Sequence, residues 1–347
     1  MTTALRFLGR FTGRAHKARL ARHITATALV AATAGAGLTA CSPDDGSGGA
    51  TDSISMATQP WLGYGPWYIA QDKGYFADQD LDVKITSFND DAQMTAAIGS
   101  GEVDVLNEAT HSALREIENG TDGYISLVLD TSMTADAILA GNGIDSVKDL
   151  KGRRIAFEEG SVSNLLLDHA LSENGMSIDD ITAVPMAPSD AAVALQSKRV
   201  DAAVTYEPYI TDTAGKDDSV KTLYTADAQP GLISDTLFVS KKALEEKPEA
   251  IQKLINAWGP AIDYYNENTG DAQAIIAKNI GSDAESLKTA FEGVKFYGLE
   301  ENRTYLGGDY RSDVLPSVME AARNAEIVKD DHDPDEIIDT QFVDAAE

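Results

Sequence analysis

Five acidic side chains stand at the ends of predicted strands or in predicted crossover segments: Glu108, Asp136, Glu159, Glu207 and Asp235. No lysine or arginine occupies the turns in which they lie. Several carboxylates that face one dry cleft repel one another and take up protons, unless a cation or a donor group lies among them. The pattern therefore favours a ligand that bears an amine, an amidine or a similar nitrogen. For each acid alone, a solvated or helix-capping role remains the alternative.

An aromatic stretch, PWLGYGPWYIAQDKGYF at residues 60–76, offers rings beside these acids. Trp61 and Tyr64 lie in the turn after the first predicted strand, where they can form one wall of a cleft, while Trp67 is expected in the core. Such rings could make a cation–π contact worth ~0.5 to 2 kcal/mol. A core helix with an aromatic cap is the alternative to a ligand wall.

Two further turns carry candidate ligand contacts. Ser161 opens a predicted helix in FEEGSVSN, where free backbone N–H groups favour a sulfonate or carboxylate, although an ordinary helix cap is the alternative. Tyr206 and Glu207 lie in TYEPY, where the proline ends a strand and turns the chain at the cleft. Taurine would satisfy both the acids and the helix terminus. A pyrimidine or a quaternary amine would use the acids alone.

Two halves of similar topology must position these side chains. The segments AAIGSGEVDVLNEA and VALQSKRVDAAVTYE each contain an amphipathic helix, a polar turn, Val-Asp, a short apolar run and a glutamate. This repetition predicts two α/β lobes, each with a parallel-rich sheet and helices on its faces. Extended runs at residues 135–141 and 231–240 are predicted to be the crossover strands that join the lobes. Ligands of such sheets bind outside the carboxyl ends of the strands.

The N-terminal pattern is typical of a secreted lipoprotein. Residues 1–40 carry six basic residues and no acid, and these are followed by the uncharged run ITATALVAATAGAGL. The run leads to Cys41, the single cysteine of the chain, in a sequence that resembles a bacterial lipobox. Residues 41–53 are polar and rich in glycine and serine, as in a flexible tether. We expect a secreted protein, anchored by lipid to the outer face of the cytoplasmic membrane.

The charge balance excludes some classes of partner. The chain has 28 lysines and arginines against 56 aspartates and glutamates, which gives a formal net charge of -28. Such acidity argues against nucleic acid or an anionic membrane surface as a partner. The cluster DDHDPDE at residues 330–336 is expected to lie in an exposed acidic tail, residues 326–347.

Five motifs in order carry a family resemblance: PWLGYGPWYIAQDKGYF, AIGSGEVDV, DLKGRRIAFEEGS, KRVDAAVTYEPY and LISDTLFVS. They resemble the solute-binding proteins of bacterial ABC importers, in the nitrate, sulfonate and taurine group, which also contains binders of thiamine pyrimidine precursors. The resemblance runs from about residue 54 to 325 and implies the α/β type II periplasmic-binding-protein fold. Lobe I would then comprise residues 54–136 and 236–325, and lobe II residues 137–235.

The resemblance also implies partners. A solute-binding protein of this kind delivers a small molecule to a membrane permease with a cytoplasmic ATPase. We expect a monomer that uses no cofactor and no metal. The resemblance does not fix the ligand, because function depends on the site and not on the fold.

Two other functions remain open at this stage. Thiamine pyrimidine synthases share this fold, and His111 lies three residues after Glu108. His169 and His332 show no joint spacing for a metal or a base, so we expect no enzymatic activity. A lipoprotein that senses its solute for a membrane receptor is the third class.

Overall fold

The computed structural model describes residues 52–346. The predicted signal peptide, the lipidation site Cys41 and most of the predicted tether lie outside the described residues. The first strand begins at Asp52, inside the range expected to be tether.

Two mixed sheets form the centre of the described chain. In chain order the strands are β1 (Asp52–Thr58), β2 (Leu81–Ser87), β3 (Val105–Ala109), β4 (Gly123–Ser132), β5 (Asp136–Ala140), β6 (Arg154–Phe157), β7 (Thr182–Pro185), β8 (Ala202–Tyr206), β9 (Lys221–Thr225), β10 (Ser234–Ser240) and β11 (Val294–Phe296). The six-stranded sheet has the order β11-β4-β10-β3-β1-β2, and the five-stranded sheet has the order β7-β6-β8-β5-β9. We call the six-stranded sheet with its helices lobe I and the five-stranded sheet with its helices lobe II.

The predicted repetition is visible in the strand order. In lobe I, β1 is parallel to β2 and β3, and β10 pairs antiparallel with β3. In lobe II, β6 is parallel to β7 and β8, and β5 pairs antiparallel with β8. The two similar sequence segments end in β3 and β8, which occupy equivalent positions. Each sheet therefore has a parallel half, as predicted, and an antiparallel half that the sequence reading missed.

The predicted crossover strands are each part of a single sheet. β5 lies wholly in lobe II and β10 wholly in lobe I, and nearly every residue of both is buried. The chain passes between the sheets in the short segments just before them, residues 133–135 and 226–233. The apolar, non-helical character of these runs thus reflects buried strands, and their assignment as connections was wrong.

Helices cover the faces of both sheets. They are α1 (Gly65–Lys73), α2 (Tyr75–Asp78), α3 (Asp91–Ser100), α4 (Thr110–Glu118), α5 (Val162–Glu173), α6 (Pro188–Gln196), α7 (Tyr209–Ala214), α8 (Lys241–Glu246), α9 (Pro248–Glu267), α10 (Thr269–Asn279), α11 (Leu299–Tyr305), α12 (Leu315–Asn324), α13 (Pro334–Ile337) and α14 (Gln341–Ala345). Of the helices within residues 52–346, none combines the length and the apolar character that a bilayer span requires.

The aromatic stretch folds into the first helix, as its sequence indicates. Pro66 lies in the first turn of α1, and Gly74 ends the helix with a φ of 86°, a conformation that favours glycine. Trp67 is buried and packs against Trp258 of α9, with ring centroids 4.5 Å apart. The prediction that Trp67 belongs to the core is confirmed.

The C-terminal segment differs from the expected acidic tail. Most acidic side chains of residues 330–336 are exposed, but the segment as a whole packs on lobe I. Ile337, Phe342 and Val343 are buried, and Ile338 forms a parallel bridge with Ile125 of β4. The many acidic residues favoured the prediction of an exposed tail, but burial of the apolar residues among them holds the segment on the core.

Candidate functional site

Six of the predicted contact residues line one cavity between the lobes: Trp61, Tyr64, Glu108, Asp136, Tyr206 and Asp235. All of them lie at the edge where the parallel strands end and the antiparallel strands begin. Asp136 and Tyr206 belong to lobe II, and the other four belong to lobe I. The strand-end rule thus explains why residues far apart in sequence meet here.

The cavity is small. The centre of a water-sized sphere can occupy about 30 Å³ of it, which is room for about one or two water molecules. An organic solute with several heavy atoms therefore enters only if the lobes separate or the side chains move.

Aromatic rings from both lobes meet at the cavity. The rings of Trp61 and Tyr206 make an edge contact with centroids 5.7 Å apart, and Tyr209 lies 5.5 Å from Tyr206. The Tyr64 hydroxyl donates to Asp235 Oδ1 at 3.1 Å. The Trp61 indole Nε1 donates to Asp130 Oδ1 at 3.2 Å. Each of the two rings from lobe I is therefore fixed by a hydrogen bond to a buried aspartate.

Three buried carboxyl groups face the cavity from two lobes. Burial raises the pKa of Asp136 to about 8 and that of Asp235 to about 6. Burial, with the charge of Glu116 as the second cause, raises the pKa of Glu108 well above its usual range. Glu108 Oε1 has no hydrogen-bond partner among residues 52–346. A buried acceptor without a partner is costly, so this oxygen is available to a donor on a solute.

Arg115 is a cation that the sequence analysis missed. It lies in the second turn of α4, which begins directly after β3, and its Nη2 is 3.2 Å from Asp91 Oδ2. Its Nη1 donates to the carbonyl oxygen of Gly160 in lobe II. Lysine and arginine were expected to reach the site only from the turns that follow strands. The first two turns of a helix that follows a strand reach the same edge of the sheet.

A second contact joins the lobes beside Arg115. The backbone N–H of Asp91, the first residue of α3, donates to Glu158 Oε1 at 3.1 Å. Burial, followed by the charge of Asp91, raises the pKa of Glu158 to about 8. The predicted residue here was Glu159, but its side chain is exposed, and it is Glu158 that faces lobe I. The sequence could not decide between adjacent glutamates in one turn.

Two other predicted contacts serve as helix caps. The Ser161 hydroxyl accepts from Ser163 N at 3.1 Å and donates to Glu158 O at 2.9 Å, which caps α5. The Glu207 carboxylate accepts from the backbone N–H and the hydroxyl of Thr211, each at 3.0 Å, at the start of α7. Neither lines the cavity, so the structure corrects the prediction that they face it.

His111 is buried in α4 beside the cavity but does not line it. Burial lowers the pKa of His111 to about 4, so the imidazole is neutral at physiological pH. Among residues 52–346, no group of three or more His, Cys, Asp and Glu side chains has the arrangement of a metal site.

Comparison with solved structures establishes the fold. The chain is similar to the periplasmic aliphatic sulphonate binding protein of Escherichia coli, at 20% identity and a TM-score of 0.67, covering 83% of this chain and 98% of that one. It is also similar to the ligand-binding component of an ABC-type import system from Staphylococcus aureus that was solved with zinc, at 12% identity and a TM-score of 0.72, covering 85% and 99%. The predicted periplasmic-binding-protein fold is confirmed.

Sequence relatives include proteins of two kinds. A Brucella abortus protein named only as a binding protein is 28% identical over 235 residues, which are 67% of this chain and 73% of that protein. The 4-amino-5-hydroxymethyl-2-methylpyrimidine phosphate synthase of Candida albicans is 28% identical over 223 residues, which are 60% of this chain and 65% of the synthase. The family model described as NMT1/THI5 like matches residues 62–272. Because this match covers more than half of the chain, the protein belongs to the NMT1/THI5-like family.

Proposed function

We propose that this protein is the extracellular solute-binding component of an ABC importer and that it captures a small organic solute bearing a basic nitrogen. The fold supports a binding role, since the solved structures it resembles include ABC-type binding components. The charge of the cavity supports the choice of solute.

The observation that carries the proposal is the composition of the cavity wall. The buried Glu108 and Asp235 come from lobe I, as does Asp91, which is paired with Arg115, and Asp136 comes from lobe II. No lysine, arginine or histidine is among the described residues that line the cavity. Burial favours the protonated form of such carboxyl groups, and a cation among them favours the ionised form. A solute cation between Asp136 and the two buried acids of lobe I would attract both lobes, so binding and closure would be coupled.

The rings add a contact for the same kind of solute. Trp61 and Tyr206 present π surfaces from opposite lobes, and a desolvated cation over such a face gains ~2 kcal/mol. A flat, basic heterocycle such as an aminopyrimidine could stack on the rings and also hydrogen-bond to a carboxyl group. The pyrimidine synthases among the relatives make this class a suitable part of a ligand screen.

A simple sulfonate fits the cavity less well. The Escherichia coli neighbour is named for aliphatic sulphonates, but its low identity supports only the shared fold. In this chain a lone anion would find no cation among the described residues that line the cavity, and the nearby Arg115 is already paired with Asp91. A zwitterion such as taurine avoids this conflict, because its amine can meet the acids while its sulfonate lies at the N-terminal end of α5.

A synthase activity is the second candidate, since several relatives carry that name. A phosphate ester would find no cation among the described residues that line the cavity, and the buried, neutral His111 does not line it. We therefore propose a binder and not an enzyme. Mass spectrometry of a bound solute after prolonged incubation would decide, because a binder returns it unchanged.

A thermal-shift screen tests the proposed solute class. The purified protein would be heated with small amines, aminopyrimidines, taurine, alkylsulfonates and nitrate, each at millimolar concentration. We expect compounds with a basic nitrogen to raise the melting temperature, since a ligand at 100 times its Kd adds ~2.7 kcal/mol of stability. Stabilisation by simple sulfonates or nitrate alone would contradict the proposal.

The membrane anchor is a separate part of the proposal. Cys41 follows a signal-like segment, and acylation of this residue would hold the mature protein at the outer face of the cytoplasmic membrane. Metabolic labelling with radioactive palmitate is expected to mark the wild-type protein and to leave Cys41→Ala unlabelled. Equal labelling of both proteins would contradict lipidation at Cys41.

Gene context separates transport from sensing. Genes for a permease and an ATPase beside this gene would support delivery of the solute to an importer. A neighbouring histidine kinase gene would instead support a sensor that presents its solute to a receptor.

A further inference from the structure

Two aspartates lie side by side next to Trp61 and Tyr64, one of them on the cavity wall and the other beneath it. Asp130 of β4 and Asp235 of β10 are directly paired residues of the antiparallel ladder. Their exposed fractions are 0% and 3%. Like charges directly opposite each other on neighbouring strands are destabilising, and burial increases this cost.

The chain supplies no cation to this pair among residues 52–346. Lys295, on the neighbouring strand β11, pairs with Glu301 at 2.8 Å and lies over the ring of Tyr297. Apart from the indole of Trp61, the groups that act on the pair are acids or phenols: Tyr64, Asp91, Glu108, Asp136 and Tyr310. The cation Arg115 is paired with Asp91 and not with this pair. Neutralisation must therefore come from a proton or from a solute.

The contacts of Asp130 fix it in place. Its Oδ1 accepts from Trp61, whereas its Oδ2 is buried and has no hydrogen-bond partner among the described residues. A Cβ at Gly63 would lie 1.9 Å from Oδ2, so only glycine allows the chain to pass this close. Asp130 does not line the cavity, but Asp235 does.

Building on the proposed function, we propose that Asp130 and Asp235 share one proton in the empty protein and that a cationic group binding at Asp235 expels this proton to solvent. Asp130 is then a positioning residue that acts through Asp235 and through the ring of Trp61. The shared proton would leave the pair with one negative charge instead of two, and the solute would replace this proton with its own positive charge.

The titration of the pair supports this exchange. Burial, followed by the charge of Asp235, raises the pKa of Asp130 well above its usual range. Burial also raises the pKa of Asp235, to about 6. One proton therefore remains on the pair at neutral pH, and a cation beside Asp235 favours its loss.

The variant Asp130→Asn isolates the shared proton. Its amide oxygen can still accept from Trp61, and its NH2 group can donate to Asp235 in place of the proton. Tetramethylammonium chloride is the probe, because this cation has no proton of its own and every proton released comes from the protein. Protons would be counted with an indicator dye in weakly buffered solution at pH 7.

We expect the wild-type protein to release up to about one more proton per bound cation than Asp130→Asn. Release of this proton should lower the wild-type Kd for tetramethylammonium by up to about tenfold per pH unit between pH 6 and 8. The Kd of the variant should depend less strongly on pH. Glu207→Gln, which changes a buried carboxyl group outside the cavity, should behave as the wild type does. Equal proton release by wild type and Asp130→Asn would overturn the inference.

An infrared measurement on the empty protein separates this inference from the proposed function. A protonated carboxyl band that persists at pH 7 in the wild type should be weakened in Asp130→Asn, and its persistence unchanged in that variant would overturn the shared proton. The band could behave as expected while tetramethylammonium and the amines neither stabilise the protein nor release protons. In that case the two aspartates share a proton, but the proton exchange and the proposed solute class are both wrong.

Discussion

Replacement of Asp136 by asparagine is expected to weaken the binding of a cationic solute by about 30-fold or more. Removing one partner of a buried, hydrogen-bonded charge pair costs ~2 to 5 kcal/mol, and Asp136 is the carboxyl group that lobe II contributes to the cavity wall. Isothermal titration calorimetry with the best amine of the screen would measure the change.

Glu207→Gln is the matched control for this substitution. Both carboxyl groups are buried in lobe II, but the Glu207 carboxylate is engaged by Thr211 and does not line the cavity. We expect little change in amine affinity for this variant. Equal losses in Asp136→Asn and Glu207→Gln would refute the role given to Asp136.

The same aspartate should make the empty protein less stable as the pH rises. The pKa of Asp136 in the folded state is about 8, which is above the value near 4 in an unfolded chain. The folded state therefore binds the proton more tightly, and this contribution is complete below pH 4 and is lost as the pH rises to about 8. In Asp136→Asn the decline in unfolding free energy over this range should be smaller.

Replacement of Arg115 by methionine is expected to destabilise the protein by ~3 to 5 kcal/mol. The guanidinium is largely buried, pairs with Asp91 and contacts the carbonyl oxygen of Gly160 in the other lobe. Its removal leaves Asp91 and Glu116 without their cation, and an uncompensated buried charge is costly. Urea unfolding followed by circular dichroism would give the difference.

Lys151→Met provides the comparison for Arg115→Met. Lys151 is also in an ion pair, with Asp180, but its side chain is 71% exposed. Exposed ion pairs contribute little to the free energy of unfolding, so the urea midpoint of Lys151→Met should hardly differ from that of the wild type. A similar midpoint for the wild type and Arg115→Met would show that the contact between the lobes is not a stabilising one.

The edge of the sheets on which the cavity lies could be predicted from sequence. Glu108, Tyr206 and Trp61 end or follow strands, and the rule that ligands bind beyond strand ends applies without knowledge of the packing. Asp136 and Asp235 begin antiparallel strands, so they reach the same edge from the opposite direction. Both line the cavity, although their strands were assigned as crossovers.

The orientation of individual side chains could not be predicted in this way. Glu207 and Ser161 lie in the expected turns, yet local hydrogen bonds to Thr211 and Ser163 direct them to helix starts. In FEEG, a shift of one residue separates the exposed Glu159 from Glu158, which contacts Asp91. The choice between Glu158 and Glu159 depends on packing between the lobes, which a local pattern does not contain.

Asp130 shows a different limit of the sequence analysis. It is an isolated acid in the buried strand GYISLVLDTS, and this was a signal of an unusual site. Its partner, Asp235, is more than 100 residues away, and only the strand register brings the two together. A lone acid within an apolar strand therefore indicates a partner without identifying it.

The most direct test is the affinity of an amine compared with that of its neutral isostere of the same shape, measured by calorimetry at pH 7.5. We expect the cation to bind at least tenfold more tightly, because four carboxyl side chains, three of them buried, and no cation are among the described residues that line the cavity. Equal affinities for the two compounds, or tighter binding of the neutral one, would contradict recognition of positive charge in this cavity.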